Sequence, residues 1–362
     1  MKKILGIVLA LVMLLGCVTA FAEEYPELKQ KPDGDIAIGF LVHNLEAEYN
    51  RRCHQAVAVE AAHRGWDLTD CVIASDEEGV AALNTLINKG VDAIVISNMD
   101  MPAFASYILQ ARQAGIGVYC VDTEVLPGCI SNALACNGVA TVQMAYTVGG
   151  ALNWNARYAV ITIPSLQVHC ERVDPVKALF DAYSGMEMVA EEYVSFNEVP
   201  VTEQAYNYMK RWGEKFGDTI DLVVGSWDGA AIGAANALAD SYPDSDCICI
   251  GVDGGSEVWA YIRNGSNVKY SYAQPVELYY HVTFELIDQL QVQGLKIGDE
   301  GCSISAEGEA MFCNGAIISP DNVPEVGASV HAVMDFYGGD PDDPDAWYNW
   351  TEAGGFPTVT DN

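Results

Sequence analysis

From Asp35 onward, short runs of apolar and β-branched residues alternate with longer stretches in which apolar positions recur at helical spacing. Residues 36–42 have the composition of a buried strand, and residues 48–64 predict a helix that ends at Gly65. This alternation is typical of units in which right-handed helical crossovers join parallel strands. It predicts an α/β fold of doubly wound parallel sheets.

Two sets of these units follow one another along the chain. The first set includes predicted helices at 77–89 and 102–114, each of which stops at a glycine. The second set begins at Asn137 and continues to a long predicted helix at 275–293. Because 362 residues exceed what one hydrophobic core usually serves, we expect two α/β lobes.

The first residues have the layout of a secretory signal. Lys2 and Lys3 precede an apolar run at residues 4–15, which is shorter than a membrane span requires. Two processing routes remain open, cleavage after Ala22 or lipid attachment to Cys17 within a lipobox-like Leu-Leu-Gly-Cys sequence. Either route predicts a mature protein outside the cytoplasm.

Charge and missing motifs exclude several classes of function. A formal charge of −32 with only 18 Lys and Arg residues would repel nucleic acid, and no basic stripe offsets it. Residues 225–229 do not form a nucleophile elbow, and residues 251–255 lack the third glycine of a dinucleotide-binding fingerprint. No P-loop or H-E-x-x-H sequence occurs. We therefore expect a binding protein without catalytic activity or cofactor.

Eleven cysteines in an exported chain raise the question of disulfides. Cys120, Cys247 and Cys249 lie in apolar runs that predict buried strands, where cysteine packs as a small apolar side chain. We expect mostly free thiols, with Cys302 and Cys313, on either side of a short predicted hairpin, as the best candidates for a disulfide. No closely spaced set of His and Cys residues indicates a metal site.

Polar residues at the carboxyl ends of the predicted strands form the candidate site, because doubly wound sheets bind ligands there. Asp122, Asp228 and Asp253 occupy such positions and could accept hydrogen bonds from hydroxyl groups, although each could equally cap a helix or a turn. Trp227 also emerges at a strand end, where its ring either faces a ligand or packs as core. Carboxylates beside an aromatic face suit a polyhydroxylated ligand.

Four motifs, taken in order, resemble those of a known family. They are Ile36–Phe40 leading to Tyr49, the helix and strand at 86–96, Val121-Asp122, and Ile250–Gly254. Over residues 34–300 the chain resembles the type I periplasmic binding proteins, the family of the ribose- and galactose-binding proteins. This resemblance implies two similar lobes that close on a sugar, an ABC transporter permease as partner, and no cofactor.

The resemblance also implies roles for individual residues. Tyr49 matches the aromatic residue that stacks on the sugar, and Asp122 and Asp253 match two ligand-binding aspartates. The other matches are Arg172 at the start of a second-lobe helix, Gln274 at the hinge, Phe196 as a second-lobe aromatic residue and Asn137 as a residue between the lobes.

Two positions depart from the family pattern and leave the identity of the sugar open. Trp227 precedes Asp228 where sugar-binding members commonly carry Asn, and Asn50 stands where a second stacking aromatic residue often occurs. A nucleoside or signalling molecule on the same scaffold remains an alternative ligand. A sensory protein that presents its ligand to a membrane receptor remains an alternative to a transport protein.

The expected lobes are discontinuous, with three hinge crossings near Asn137, Gln274 and residue 303. The expected division is a signal peptide at 1–22, a first lobe at 34–136 and 275–303, a second lobe at 137–274 and 304–336, and a tail at 337–362. Aromatic residues of the tail, among them Trp347 and Trp350, should hold it on a lobe. The acidic residues of the tail leave two alternatives open, a calcium site or a solvated linker.

Overall fold

Twelve strands and nine α-helices make up the computed structural model, which describes residues 25–195, 199–328 and 343–356. The strands are β1 (Ala37–His43), β2 (Asp67–Ile73), β3 (Ala93–Ser97), β4 (Gly117–Val121), β5 (Ser131–Leu134), β6 (Asn155–Thr162), β7 (Gly185–Tyr193), β8 (Leu222–Gly225), β9 (Ile248–Asp253), β10 (Val268–Ala273), β11 (Glu309–Phe312) and β12 (Ala316–Ile318). The helices are α1 (Glu48–Arg64), α2 (Asp76–Lys89), α3 (Ala105–Gln113), α4 (Asn137–Ala151), α5 (Gln167–Asp181), α6 (Val201–Phe216), α7 (Asp228–Ser241), α8 (Ser256–Arg263) and α9 (Val276–Ile287).

Local sequence signals set the ends of several elements. α1 and α2 end at Gly65 and Gly90, whose φ angles of 72° and 74° lie in the left-handed region that glycine adopts without strain. α2 begins where the side chain of Ser75 accepts a hydrogen bond from the backbone N–H of Glu78. The helix predicted at 48–64 therefore coincides with α1.

The strands form two six-stranded sheets, one in each lobe. The order is β11-β5-β4-β3-β1-β2 in the first sheet and β12-β10-β9-β8-β6-β7 in the second, and every pair is parallel except β10 with β12. Every residue of β3 and β4 is buried, as expected for central parallel strands covered by helices on both faces. The predicted α/β class with two doubly wound parallel sheets is confirmed.

The chain passes between the lobes after β5, after β10 and between β11 and β12. The third passage was expected near residue 303, and this position is wrong. β11 pairs in parallel with β5, from Glu309 opposite Ser131 to Phe312 opposite Leu134, and so extends the first sheet. The passage therefore lies between residues 312 and 316.

The same pairing corrects the disulfide expectation. β11 joins a distant strand and does not form a hairpin with the segment before it, so Cys302 and Cys313 do not flank a hairpin. Both are free thiols, as are the other eight cysteines of the described residues. The expectation of mostly free thiols is confirmed for this part of the chain.

The described part of the tail packs on the first lobe. The ring of Trp350 stacks on His63 of α1 at a centroid distance of 3.4 Å, and Trp347 stacks on His281 of α9 at 4.5 Å. The side chain of Gln55 on α1 donates hydrogen bonds to two carbonyl groups of the tail. The expectation that aromatic residues hold the tail on a lobe is confirmed.

Several sequence predictions fall outside the described residues. These are the signal peptide with Cys17, the site residue Phe196, and most of the acidic run of the tail. In the part of the chain that the structure describes, no helix has the length and apolar character that a membrane span needs. Within the same residues, no group of three His, Cys, Asp or Glu side chains could hold a metal ion.

Candidate ligand-binding site

A cavity of about 980 Å³ lies between the two lobes, at the carboxyl ends of their strands. The first lobe contributes residues that follow β1, β2, β3 and β4, and the second contributes residues that follow β6, β7, β8 and β9. In the first sheet β2 lies on one side of β1 and β3 lies on the other, and in the second sheet β7 and β8 flank β6 in the same way. The chain therefore changes its direction across the sheet beside the first strand of each lobe, and doubly wound sheets bind ligands at this point. The volume is in the range of small-molecule sites.

Asp122 of the first lobe and Arg172 of the second lobe form an ion pair in the wall of this cavity. Asp122 follows β4, and its Oδ2 atom accepts hydrogen bonds from the Tyr49 hydroxyl at 2.9 Å and from Arg172 Nη2 at 3.0 Å. Both charged side chains are at least 97% buried, with exposed fractions of 2% for Asp122 and 3% for Arg172. The second oxygen, Oδ1, is buried and has no hydrogen-bond partner within the described residues. It is therefore an acceptor that a ligand hydroxyl can satisfy.

Arg172 is held in place by groups of its own lobe and of the segment between the lobes. It lies in the second turn of α5, donates from Nε to Asn137 Oδ1 at 3.0 Å and from Nη1 to the backbone oxygen of Ser226 at 3.1 Å. Asn137 is not among the residues that line the cavity. The structure thus brings Asn137 to the site as a residue that orients Arg172.

Asp253 lies at the end of β9 and completes the charged centre. Its Oδ1 atom accepts a hydrogen bond from Gln274 Nε2 at 2.9 Å and is 3.6 Å from Arg172 Nη1. Burial raises the pKa of Asp253 to about 6, although Arg172 and the hydrogen bond from Gln274 act to lower it. Asp253 lines the cavity, whereas Gln274 is fully buried behind it and accepts a hydrogen bond from the Tyr279 hydroxyl at 2.9 Å.

Asp228 borders the cavity, but protein groups occupy both of its oxygen atoms. Oδ1 accepts a hydrogen bond from the Ser271 hydroxyl at 2.6 Å, and Oδ2 accepts one from the backbone N–H of Gly254 at 2.7 Å. Burial raises the pKa of Asp228 well above its ordinary value, and the nearby carboxylate of Asp253 adds to this. Its contacts are those of a carboxylate that fixes the turn after β9.

Tyr49 and Asn50, at the start of α1, present different surfaces to the cavity. The Tyr49 ring is 7% exposed and packs within the first-lobe core while its hydroxyl binds Asp122. The Asn50 side chain donates from Nδ2 to the backbone oxygen of Asn44 at 2.8 Å, which leaves its buried Oδ1 atom without a partner among the described residues. The first lobe therefore offers two buried acceptors, Asn50 Oδ1 and Asp122 Oδ1.

Trp227 is 8% exposed and belongs both to the wall of the cavity and to the core of the second lobe. Its ring meets the edge of His169 at a centroid distance of 6.0 Å and an angle of 72°. Sequence reasoning missed His169, although it lies one helical turn before Arg172 and therefore on the same face of α5.

His169 is a buried, neutral polar group in the wall of the cavity. Its Nδ1 atom shares a hydrogen bond of 2.8 Å with the Ser226 hydroxyl. Burial lowers the pKa of His169 well below its ordinary value, and the charge of Arg172 lowers it further. The Nε2 atom has no protein partner within the described residues, so it is a third polar atom that a ligand can contact.

The charges of the cavity wall are predominantly negative. Among the described residues that line the cavity, Lys and Arg are represented by Arg52 and Arg172 alone. Each of these two side chains is already paired with a buried carboxylate. The unpaired lining carboxylates are Glu46, Asp76, Glu77, Asp100 and Glu257. A negatively charged ligand would meet repulsion here, whereas a neutral ligand rich in hydroxyl groups finds acceptors.

This two-lobed fold with a polar cleft between the lobes is that of a solute-binding protein. The family model described as periplasmic binding protein domain matches residues 38–294, which is more than half of the chain, and the chain belongs to this family. Members of the family act outside the cytoplasm and bind solutes without catalysing a reaction. The resemblance inferred from the four motifs is confirmed.

The chain is also similar to individual relatives and to solved structures of the same fold. The chain is 24% identical over 310 residues to the ribose import binding protein of Bacillus subtilis, covering 82% of this chain and 95% of that protein. A solute-binding protein of an ABC transporter from Agrobacterium vitis, solved with bound allitol, superposes with a TM-score of 0.70 at 18% identity over 80% of this chain and 97% of the other. A protein of the same kind from Actinobacillus succinogenes 130z, solved with bound D-allose, gives a TM-score of 0.69 at 20% identity over 80% and 99%.

Proposed function

We propose that the chain captures a small neutral polyol, a sugar or a sugar alcohol, in the cleft between its lobes and delivers it to an ABC transporter permease. The observation that carries this proposal is the charged centre of Asp122, Arg172 and Asp253, three residues that line the cavity between the two lobes and include a buried carboxylate oxygen without a partner among the described residues. A carboxylate accepts hydroxyl hydrogens, and an adjacent guanidinium donates to hydroxyl oxygens. Relatives that bind ribose, allitol and D-allose support the same ligand class.

A nucleoside is the second candidate ligand, because Trp227 could offer a broad face to a base. The small exposed fraction of Trp227, 8%, and its packing in the second-lobe core favour the sugar. Capture for sensing would use the same cleft chemistry as capture for transport. Genes for a permease beside the gene for this chain would favour transport.

A thermal-shift screen of the mature protein tests the ligand class. Pentoses, hexoses, sugar alcohols and nucleosides are each added at increasing concentration, and at a hundredfold excess over the dissociation constant a true ligand stabilises the fold by about 2.7 kcal/mol. We expect a sugar or a sugar alcohol to raise the melting temperature. A response to nucleosides alone would refute the polyol proposal.

We also propose that the chain is exported and processed within its first 22 residues. Cleavage after Ala22 would leave Glu23 at the N-terminus of a soluble protein, and lipid attachment would leave an acylated Cys17. Mass spectrometry of the protein from its native host distinguishes the two products. An N-terminus at Met1 would contradict export by either route.

Sugar affinity should fall as the pH falls through about 6, because Asp253 must be ionised to attract Arg172 and to accept a hydroxyl hydrogen. With a pKa of about 6, the ionised fraction drops roughly tenfold between pH 7.5 and pH 5, so the affinity should drop by up to about tenfold. Calorimetric titration at both values measures this. The variant Asp253→Asn should bind the sugar more weakly, and its affinity should no longer depend on pH over this range. If its affinity showed the same pH dependence as the parent, a group other than Asp253 would be responsible.

The same carboxyl group gives an opposite pH effect on stability. Its pKa is raised from 3.8 in the unfolded chain to about 6 in the fold, so the folded protein holds its proton more tightly. The contribution of Asp253 to stability is therefore present below about pH 4 and is lost as the pH rises to about 6. Compared with Asp253→Asn, the parent should lose stability over this window, as melting curves without sugar would show.

The variants Trp227→Phe and Trp227→Ala separate a ligand platform from a core residue. Phenylalanine keeps an aromatic face, so it should retain most of the sugar affinity, whereas alanine should cost at least about 1 kcal/mol of binding free energy. Alanine should also lower the stability by about 3–5 kcal/mol, because Trp227 packs in the second-lobe core. Normal affinity of a destabilised Trp227→Ala protein would leave Trp227 with a packing role alone.

A further inference from the structure

Glu48 joins the two lobes at a point outside the charged centre. It is the first residue of α1 in the first lobe, and its carboxylate reaches the first turn of α8 in the second lobe. Oε1 accepts a hydrogen bond from the backbone N–H of Ser256 at 2.8 Å, and Oε2 accepts from the Ser256 hydroxyl at 2.9 Å and from the N–H of Glu257 at 3.3 Å. One side chain thus satisfies three donors of the opposite lobe.

The N-terminus of α8 is built to receive a carboxylate from outside its own lobe. Gly255 occupies the capping position and has no side chain that could bind the first N–H groups of the helix. A Cβ atom on Gly255 would lie 2.8 Å from Glu48 Oε2, so the absence of a side chain lets the carboxylate approach. The partial positive charge of the helix terminus strengthens these hydrogen bonds.

The contact depends on the distance between the lobes, because α1 and α8 pack with different sheets. Glu48, Gly255 and Glu257 all line the cavity, so the contact spans the cleft itself. Protein donors occupy both oxygens of Glu48, in contrast to the buried Oδ1 atom of Asp122, which has no partner among the described residues. Glu48 therefore holds the walls of the cleft together and leaves the ligand to other groups.

We propose that Glu48 is a latch, a positioning residue whose carboxylate binds α8 when the lobes come together and so determines how tightly the protein retains its solute. The inference rests on the proposed function in one respect, that the solute is held between closed lobes. Apparent affinity scales with the populated fraction of the binding-competent form. Loss of three hydrogen bonds lowers that fraction, so Glu48→Ala should bind its sugar about tenfold more weakly, mainly through faster dissociation.

The first experiment needs no ligand. Hydrogen exchange of the backbone amides of Ser256 and Glu257 is measured in the parent, in Glu48→Ala and in Glu46→Ala. Glu46 lines the same cavity two residues earlier, and its carboxylate has no hydrogen bond among the described residues, so it is the matched control. We expect at least tenfold faster exchange of both amides in Glu48→Ala and no change in Glu46→Ala. Equal exchange in the parent and Glu48→Ala would overturn the latch.

A second variant disturbs the same contact from the other lobe. Gly255→Ala adds a methyl group at the position where the Glu48 carboxylate approaches, in a backbone conformation that alanine tolerates, φ −74° and ψ 169°. It should speed the exchange of the Ser256 amide in the same direction as Glu48→Ala while the melting temperature stays within a few degrees of the parent. A parental rate for the Ser256 amide would count against the latch.

The third arm uses D-ribose, D-allose and allitol as probes in titration calorimetry and stopped-flow dissociation. If the parent binds one of them, Glu48→Ala should release it about tenfold faster than the parent and Glu46→Ala should match the parent. Parental affinity and dissociation rate in Glu48→Ala would refute the latch. If the parent binds no sugar or sugar alcohol, the proposed function fails, and hydrogen exchange still decides whether Glu48 joins the lobes.

Discussion

Asp122→Asn should weaken sugar binding by about 10- to 100-fold while the protein remains folded. The variant keeps the shape of the side chain and a hydrogen-bond acceptor for Tyr49, but it removes the charge that faces Arg172 and the ligand. A hydrogen bond to a buried charged group is worth about 1.5–3 kcal/mol, which corresponds to this range of affinity. Titration calorimetry with the sugar found in the thermal-shift screen measures the change.

Asp100→Asn is the control for this prediction. Asp100 lines the same cavity and loses the same charge, but it is only half-buried and makes no ion pair among the described residues. The sugar affinity of Asp100→Asn should stay within about threefold of that of the parent, because solvent screens the charge of a partly exposed carboxylate. Equal losses for both variants would mean that the overall charge of the cleft, and not the geometry at Asp122, determines binding.

The alanine variant of Asp122 is less informative than the asparagine variant. In the structure Arg172, which is 3% exposed, would lose its shortest ionic contact and keep Asp253 at 3.6 Å, so the variant should also lower the free energy of unfolding. Weaker binding by Asp122→Ala would therefore reflect both the altered site and the less stable fold.

Arg52→Met should lower the free energy of unfolding by about 3–5 kcal/mol. Arg52 pairs with Glu277 at 2.8 Å, the two side chains are 2% and 0% exposed, and the variant would remove this ion pair from the buried Glu277 carboxylate. The double variant Arg52→Met/Glu277→Leu should recover most of the loss, because both charges are then removed together. Denaturant unfolding measures all three proteins.

An exposed ion pair of this chain provides the comparison. Arg211 and Glu192 are 2.9 Å apart with side chains 57% and 34% exposed, so Arg211→Met should cost no more than about 1 kcal/mol. If Arg52→Met cost as little as Arg211→Met, the buried pair would not stabilise the fold. A double variant of Arg52 and Glu277 as unstable as Arg52→Met would point to lost packing and not to an unpaired charge.

The fold was largely predictable because its strongest signals are local. Gly65 and Gly90 end α1 and α2 through their own backbone freedom, and that freedom is visible in the sequence. β5 and β11 were not predicted as a pair, because each has four residues and their pairing joins segments more than 170 positions apart. α5 begins at Gln167, five residues before Arg172, which the resemblance places at the start of a second-lobe helix, and no side chain caps the N-terminus of α5 to mark it.

The site was predictable in location and only partly in the roles of its residues. Asp122 and Asp253 were predicted to lie at the cleft because each follows a strand, and doubly wound sheets bind ligands beyond the carboxyl ends of their strands. The use of each side chain depends on partners distant in the sequence. Ser271, 43 positions away, occupies one oxygen of Asp228, and Asp253, 21 positions away, accepts a hydrogen bond from the amide of Gln274. Glu48 and His169 were missed because their partners, Ser256 and Ser226, approach only in the folded chain.

The unpaired carboxylates of the cavity wall make the spacing of the lobes sensitive to ionic strength. Asp76 and Glu77 belong to one lobe and Glu257 to the other, so closure brings like charges toward each other. The Debye length falls from about 30 Å at 0.01 M salt to about 10 Å at 0.1 M, a change on the scale of a protein cleft. We expect the solute to be released more readily at low ionic strength, where the walls repel each other, and to be retained longer at high ionic strength, where the repulsion is screened.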